Sequence, residues 1–439
     1  MSLTRRSLLA LPLIGAAGCR FPPKGAKVTE LEVAVFEGGY GLDWHRGVAR
    51  AYEQIRPDVR VNLWGDPRVD EKIKPRILRK NPPDLASCGL PAWKLITAGK
   101  LYPMDSALDS PSYGQPGKSW RETLTKGVAV DFVYEGRTFA APTNLNAEVC
   151  WYDKRLFRKN GWQPPQTWDE YLALCQKIKA TGIAPLAFQG KYPIYSWWLL
   201  LNVYMRLVPF ETYYAMQDLK PGAFTSAEFV QAATMVQEMA TSYFQTGAMA
   251  MTHTESQLEW VNGRAAMVWC GLWLKNEMKK ALPDGFEMGC FAVPKVTGGK
   301  GNQTAVFGGG GENFFVFKDA KNPELALDFL KFLLSRENAQ TYVQRLDTLS
   351  TVKDCTDGIT ISPELAGAVS VVKGSSRIFN DRLAGLYLEF GATELPDALG
   401  NLLANRLTPE QFGQRLEASL EKVRRNPEVY KPPKRGVPS

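Results

Sequence analysis

The stretch LEVAVFEGGYGLDWHRGVARAYEQIRPDVRVNL, Leu31 to Leu63, decides the fold class. Leu31, Val33 and Val35 alternate with Glu32 and Ala34, the two-residue period of a strand. Asp43 stands where a helix cap belongs, and Val48, Tyr52 and Ile55 share an inward face. Pro57 ends that helix, and Val59, Val61 and Leu63 then alternate with Arg60 and Asn62. Strand, helix, strand is a β-α-β unit, the opening of a parallel sheet with helices on its faces.

Further along, helices are announced by their caps. Thr167-Trp168-Asp169-Glu170 is a capping box, and Thr225-Ser226-Ala227-Glu228 reads as another. The second leads a helix with Phe229, Ala232, Ala233, Val236 and Met239 on one face. Asn322-Pro323 opens a helix carrying Leu325, Leu327, Phe329, Leu330 and Leu333. Thr408-Pro409 opens the last one, and Asn426-Pro427 stops it. Strands and helices alternate to the end without an internal repeat, so the class is α/β. The proline-rich, basic segment 427–439 reads as a disordered tail.

Composition agrees. The chain has 439 residues, 45% apolar and 22% charged, which is ordinary globular usage. At about 150 residues per domain the length suits three units or two large lobes. The net charge of +8 is thinly spread, with no dense Lys/Arg run before the tail, so no nucleic-acid partner is expected. The aromatic content, 12 Trp, 16 Tyr and 21 Phe, suits a surface that stacks on flat apolar faces.

Reactive-site motifs are missing. There are two histidines, His45 and His253, and no His-Glu-x-x-His, which argues against a metalloenzyme. Gly-x-Ser-x-Gly is absent as well. The run Gly308 to Gly311 lacks the Gly-Lys-Ser/Thr of a phosphate loop, and close backbone approach explains it better. No cofactor is expected. Cys88, Cys150, Cys175, Cys270, Cys290 and Cys355 show no Cys-x-x-Cys spacing and read as buried free thiols.

Residues 1–18 read as an export signal. Thr4 to Leu9 resembles a twin-arginine motif, and Leu8 to Gly18 is an apolar run too short to span a bilayer. Ala16-Ala17-Gly18-Cys19 resembles a bacterial lipobox, which implies cleavage before Cys19 and a lipid on its thiol. A plain secretory signal with a chance cysteine is the alternative.

Several blocks then fall in a recognisable order. They are Glu135-Gly136-Arg137-Thr138-Phe139-Ala140-Ala141-Pro142, Trp151-Tyr152-Asp153-Lys154-Arg155-Leu156-Phe157 and Pro165 to Glu170. Asn262-Gly263-Arg264-Ala265-Ala266-Met267, Gly271-Leu272-Trp273 and Lys321-Asn322-Pro323-Glu324 follow. This order resembles the extracellular solute-binding proteins of bacterial ATP-binding-cassette importers, family 1, in their sugar-binding branch. The resemblance covers about residues 28 to 425. It implies a two-lobe periplasmic-binding-protein fold of type II, the Venus-flytrap form, with hinge crossings. By position the crossings fall at 144–148, 289–293 and near 336–340. Lobe 1 is then 28–144 plus 290–337, and lobe 2 is 145–289 plus 338–426. It also implies a monomer at the cell envelope, held by its lipid in the periplasm or on the outer face of the membrane, that hands its ligand to permease subunits and does no covalent chemistry.

Sugar recognition needs aromatic faces for the C–H faces of pyranose rings and planar polar groups for the hydroxyls. Tyr40 and Trp44 follow the first strand, at the carboxyl end where α/β sheets bind ligands, although Trp44 can simply pack its helix. Glu37 and Asp66 follow the first and second strands; a capping or solvated carboxylate is the plainer reading. Ser87 and Trp93 lie by the strand after Asp84. The resemblance adds Trp273, the aromatic pair Tyr195 and Trp197 (with one of Trp197 and Trp198 in the core), Asn144 and Asn146 at the first crossing, and Glu312 and Asn313 after the glycine run. The expected ligand is a neutral mono- or oligosaccharide. A secreted glycosidase, which needs two carboxylates about 5 to 9.5 Å apart, and a binder of a polyol or glycerol phosphate are the alternatives.

Overall fold

The computed structural model describes residues 28–126, 128 and 132–434. The signal segment 1–18 and Cys19 lie outside the described residues. Thirteen strands follow along the described chain: β1 Thr29–Phe36, β2 Val59–Asp66, β3 Leu85–Ser87, β4 Val133–Tyr134, β5 Arg137–Thr138, β6 Ala141–Ala147, β7 Val149–Asp153, β8 Ala184–Ala187, β9 Ala265–Cys270, β10 Met288–Phe291, β11 Val306–Val316, β12 Leu349–Ser350 and β13 Ile378–Phe379.

Two mixed sheets hold eleven of them, and β4 and β5 form a two-stranded antiparallel sheet of their own. The first runs β12-β6-β11-β3-β1-β2 with β13 on β11; the second runs β10-β7-β9-β8. β1 is parallel to β2 and to β3, as the opening β-α-β unit dictates. The chain leaves the first sheet at Ala147 and enters the second at Val149, with Glu148 between them. It returns as β11, which inserts antiparallel between β3 and β6.

Two expected crossings lie elsewhere. Gly289 and Phe291 pair antiparallel with Tyr152 and Cys150, so the return follows β10 and does not fall at 289–293. The Arg336–Leu346 helix packs on the Asp43–Ile55 helix, and Leu349 pairs with Leu145 in the first sheet. The chain therefore stays with lobe 1 past residue 338, because that helix buries Ala339, Tyr342 and Val343 against lobe 1. Pro363–Gly374 then packs on β10, and Pro409–Arg425 packs on Ala227–Tyr243, both in lobe 2.

Strand alternation splits the core. Leu31, Val33, Val35, Phe314 and Val316 face one cluster, which continues through Val149, Trp151 and Val268 into lobe 2. Ala34, Ala86, Phe315 and Phe317 face a second cluster on the other side of the first sheet. A third fills the helical body of lobe 2.

The box at Thr167 forms, and the helix that Thr408 opens carries a capping box with Gln411 as well. At the second site Ser226, one residue later than Thr225, caps the helix by accepting from the Phe229 N–H at 3.3 Å. Asp43 is the first helical residue, and the cap position is Leu42. There Asp43 favours the helix by placing a negative charge in the first turn. All six described cysteines are unpaired, five of them buried and Cys290 half-buried.

Candidate ligand-binding cleft

Lobe 1 contributes a polar wall. Tyr40, in the loop after β1, is half-buried, and its hydroxyl lies 3.2 Å from Thr348 Oγ1. Its ring centroid is 6.0 Å from that of Tyr342. The Tyr342 hydroxyl and Thr143 Oγ1 each donate to Glu312 Oε2 at 3.5 Å. Those contacts are long, so desolvation dominates and pushes the Glu312 carboxyl up to about 7.

The floor is the crossing strand. Asn144, Asn146 and Glu148 follow each other at the two-residue spacing that puts side chains on one face. Asn144 hydrogen-bonds Tyr342 through its side chain. Its Oδ1 is buried without a partner among the described residues. Asn146 Oδ1 accepts the Leu272 N–H at 3.0 Å, which ties the floor to the Gly271-Leu272-Trp273 loop. Burial pushes the Glu148 carboxyl up to about 8.

Lobe 2 contributes an aromatic wall. Tyr195, Trp198 and Trp273 are all half-buried. Tyr195 and Trp198 lie 4.8 Å apart, and Trp273 is 6.5 Å from Tyr195 and 6.4 Å from Trp198. Gly271 is required here: a Cβ on it would collide with the Trp273 indole, which folds back over it. The walls meet at one rim, where a Cβ on Gly39 of lobe 1 would come within 2.8 Å of Glu277 Cγ of lobe 2. Behind that rim, Gln257 Nε2 donates to Glu277 Oε2 at 2.7 Å, and His253 Nε2 is 3.5 Å from Oε1, which raises the His253 pKa.

Thus Tyr40, Asn144, Asn146, Tyr195, Trp273 and Glu312 lie together around the cleft. Other expected site residues lie elsewhere. Trp197 is fully buried in the lobe 2 core and donates from Nε1 to Asp381 Oδ2 at 2.9 Å. At 100° per residue it points away from Tyr195, whereas Trp198, three residues on, shares that face. Trp44 is buried, donates to Asn338 O and Thr341 Oγ1, and packs edge-on to Tyr342 at 4.7 Å. It positions Tyr342 from behind.

Trp93 packs in the cluster on the far face of the first sheet, with Tyr430 stacked on it at 5.5 Å. This contact also places part of the expected disordered tail against lobe 1. Asp66 accepts the Arg68 N–H at 2.7 Å and pairs with Lys72, which holds its carboxyl below the usual range. Glu37 is exposed, and Ser87 is buried between β1 and β11. Asn313, paired with Pro142 in the β6–β11 ladder, has a buried Oδ1 without a partner among the described residues. The glycine run is the part of β11 that pairs with Asn144 to Ala147, so it is strand and not an anion loop.

Sequence reading left the choice between Trp197 and Trp198 open and did not single out Tyr342, Glu148 or Glu277. Helical spacing from Tyr195 could have found Trp198, and strand spacing from Asn144 could have found Glu148. Nothing local marks Tyr342 or Glu277, which reach the cleft only through packing.

Among known proteins, the chain is similar to a diacetylchitobiose binding protein of Streptomyces coelicolor, 28% identical over 75% of this chain and 71% of that one. It is similar to a multiple sugar-binding protein of Streptococcus mutans, 23% identical over 67% of this chain and 69% of that one. A solved chitin oligosaccharide binding protein superposes with a TM-score of 0.73 at 18% identity, covering 90% of this chain and 99% of that one, a likeness that speaks to fold alone. The model of the family described as bacterial extracellular solute-binding protein matches residues 40–340, more than half of the sequence, and the chain belongs to that family.

Proposed function

We propose that this protein is the carbohydrate-binding component of an ATP-binding-cassette importer and that its ligand is a neutral oligosaccharide. The observation that carries the reading is the half-buried trio Tyr195, Trp198 and Trp273 facing the polar set Tyr40, Asn144 and Glu312. Aromatic faces take the C–H faces of sugar rings; the amide and carboxyl take hydroxyls. The relatives named for diacetylchitobiose and for multiple sugars support the same ligand class.

Function follows from geometry. A ligand between the walls touches both lobes only when they close, so its differential affinity selects the closed state. The closed form docks on permease subunits, and their ATPase partner drives release. Capture involves no bond making or breaking. A lipid on Cys19 anchors a monomer at the outer face of the membrane or in the periplasm.

A thermal-shift screen of residues 20–439 against mono- and oligosaccharides, polyols and glycerol phosphates tests this. A ligand at 100 times its Kd adds about 2.7 kcal/mol of stability. A saturable shift with a neutral oligosaccharide, without product, is the expected result. A shift only with a glycerol phosphate or a polyol would overturn it.

A further inference from the structure

Glu148 has no role in the fold that its burial explains. The residue is 4% exposed, and its Oε1 has no hydrogen-bond partner among the described residues. Desolvation alone acts on its carboxyl, with no charged partner among the described residues. Leaving a buried polar group unpaired is costly, so a partner that arrives from outside is the economical explanation.

Its position says which partner. Glu148 directly follows β6, two residues beyond Asn146, at the end nearest lobe 2. Its backbone N–H donates to Phe307 O at 2.8 Å, and the Phe307 ring stacks on Trp198 at 6.1 Å. Its carboxyl acts electrostatically on Tyr195 and Cys270. The orphan oxygen therefore sits at the foot of the aromatic wall. The other orphan acceptor on this segment, Asn144 Oδ1, belongs to a residue four positions before Glu148.

We propose that Glu148 is a specificity-determining ligand contact, whose free oxygen takes a hydrogen bond from a hydroxyl or amide N–H of a saccharide stacked on Trp198 and Trp273. The inference rests on the saccharide reading above. Burial raises the carboxyl to about 8, so at neutral pH it meets the ligand mainly as an uncharged acid, a donor and an acceptor at once. That form suits an uncharged polyhydroxy ligand.

The test uses the full mature chain and calorimetry at pH 7 with diacetylchitobiose, maltose and raffinose. If the wild type binds none of them, the saccharide reading fails and this inference with it. If one binds, the tightest becomes the probe. Glu148→Leu should then lose fivefold or more in affinity, and Glu148→Gln, which keeps a donor and an acceptor, should recover most of it. A smaller loss in Glu148→Leu overturns the inference and leaves the saccharide reading standing. Should Glu148→Leu fail to give a cooperative melt, infrared difference spectra of the wild type replace it. The carboxyl C=O band, assigned by its absence in Glu148→Gln, should shift when the probe is added; an unmoved band overturns the proposal.

Discussion

Lys275 Nζ lies 2.6 Å from Asp347 Oδ2, and that pair ties the helix after Trp273 in lobe 2 to the end of the Arg336–Leu346 helix in lobe 1. Asp347 also accepts from Ser362 Oγ at 2.7 Å, Lys275 also reaches Glu364 at 2.9 Å, and the Asn276 amide donates to Leu346 O. Both side chains of the pair are about a quarter exposed, so solvent screens it and its worth is at most about 1 kcal/mol. Lys275→Met should therefore speed ligand dissociation by up to about fivefold, with a smaller change in association. Stopped-flow tryptophan fluorescence reads both rates. An unchanged dissociation rate means the pair does not help hold the lobes together.

Trp273 and Trp197 should separate binding from stability. Trp273 is half-buried in the aromatic wall, and stacking plus buried area is worth a few kcal/mol to a bound sugar. Trp273→Ala should lose tenfold or more in affinity with a small change in melting temperature. Trp197 is fully buried, and Trp197→Ala should lose about 3–5 kcal/mol of folding stability. Calorimetry and urea unfolding of both variants check the contrast.

Stability should fall as pH rises. Burial lifts Glu148 to about 8 and Glu312 to about 7, from an ordinary value of 4.5. Each carboxyl binds its proton more tightly in the folded state. Their contribution is thus fully present below about 4.5 and is lost as pH climbs through the folded values. Glu148→Gln should flatten the upper part of this decline, so that the variant gains on the wild type between pH 5 and 8.5. Urea unfolding at these two pH values decides it; parallel declines would mean that Glu148 does not titrate in this range.

Tyr430 should act as a strap. Its ring stacks on Trp93 at 5.5 Å and meets Tyr134 edge-on at 5.1 Å, which carries the C-terminal segment from lobe 2 back onto lobe 1. Tyr430→Ala should cost about 1–2 kcal/mol and expose Trp93 to acrylamide quenching. Ligand affinity should stay near the wild-type value, because both rings pack on the sheet face away from the cleft.

The fold class was legible because strand and helix periods are local. Leu31, Val33 and Val35 point one way in any sheet, and β1 accordingly buries all three in one cluster. Thr167 and Thr408 cap their helices with partners three residues away. The site was legible where a residue's neighbours in sequence are also its neighbours in space. Asn144, Asn146 and Trp273 are of this kind, since the crossing strand and the loop after β9 carry them directly into the cleft.

What the sequence by itself determined is therefore the α/β alternation and the helix starts at Thr167 and Thr408. Only the tertiary structure decided which of Trp197 and Trp198 faces the cleft, that Trp93 lies under Tyr430, and that the Arg336–Leu346 helix stays with lobe 1. It also decided that Glu148 carries an unpaired oxygen. These facts depend on contacts between residues tens to hundreds of positions apart. Local period says that a side chain has a buried face but not which partner will cover it, and the same tryptophan can fill a core or line a cleft depending on what packs against it.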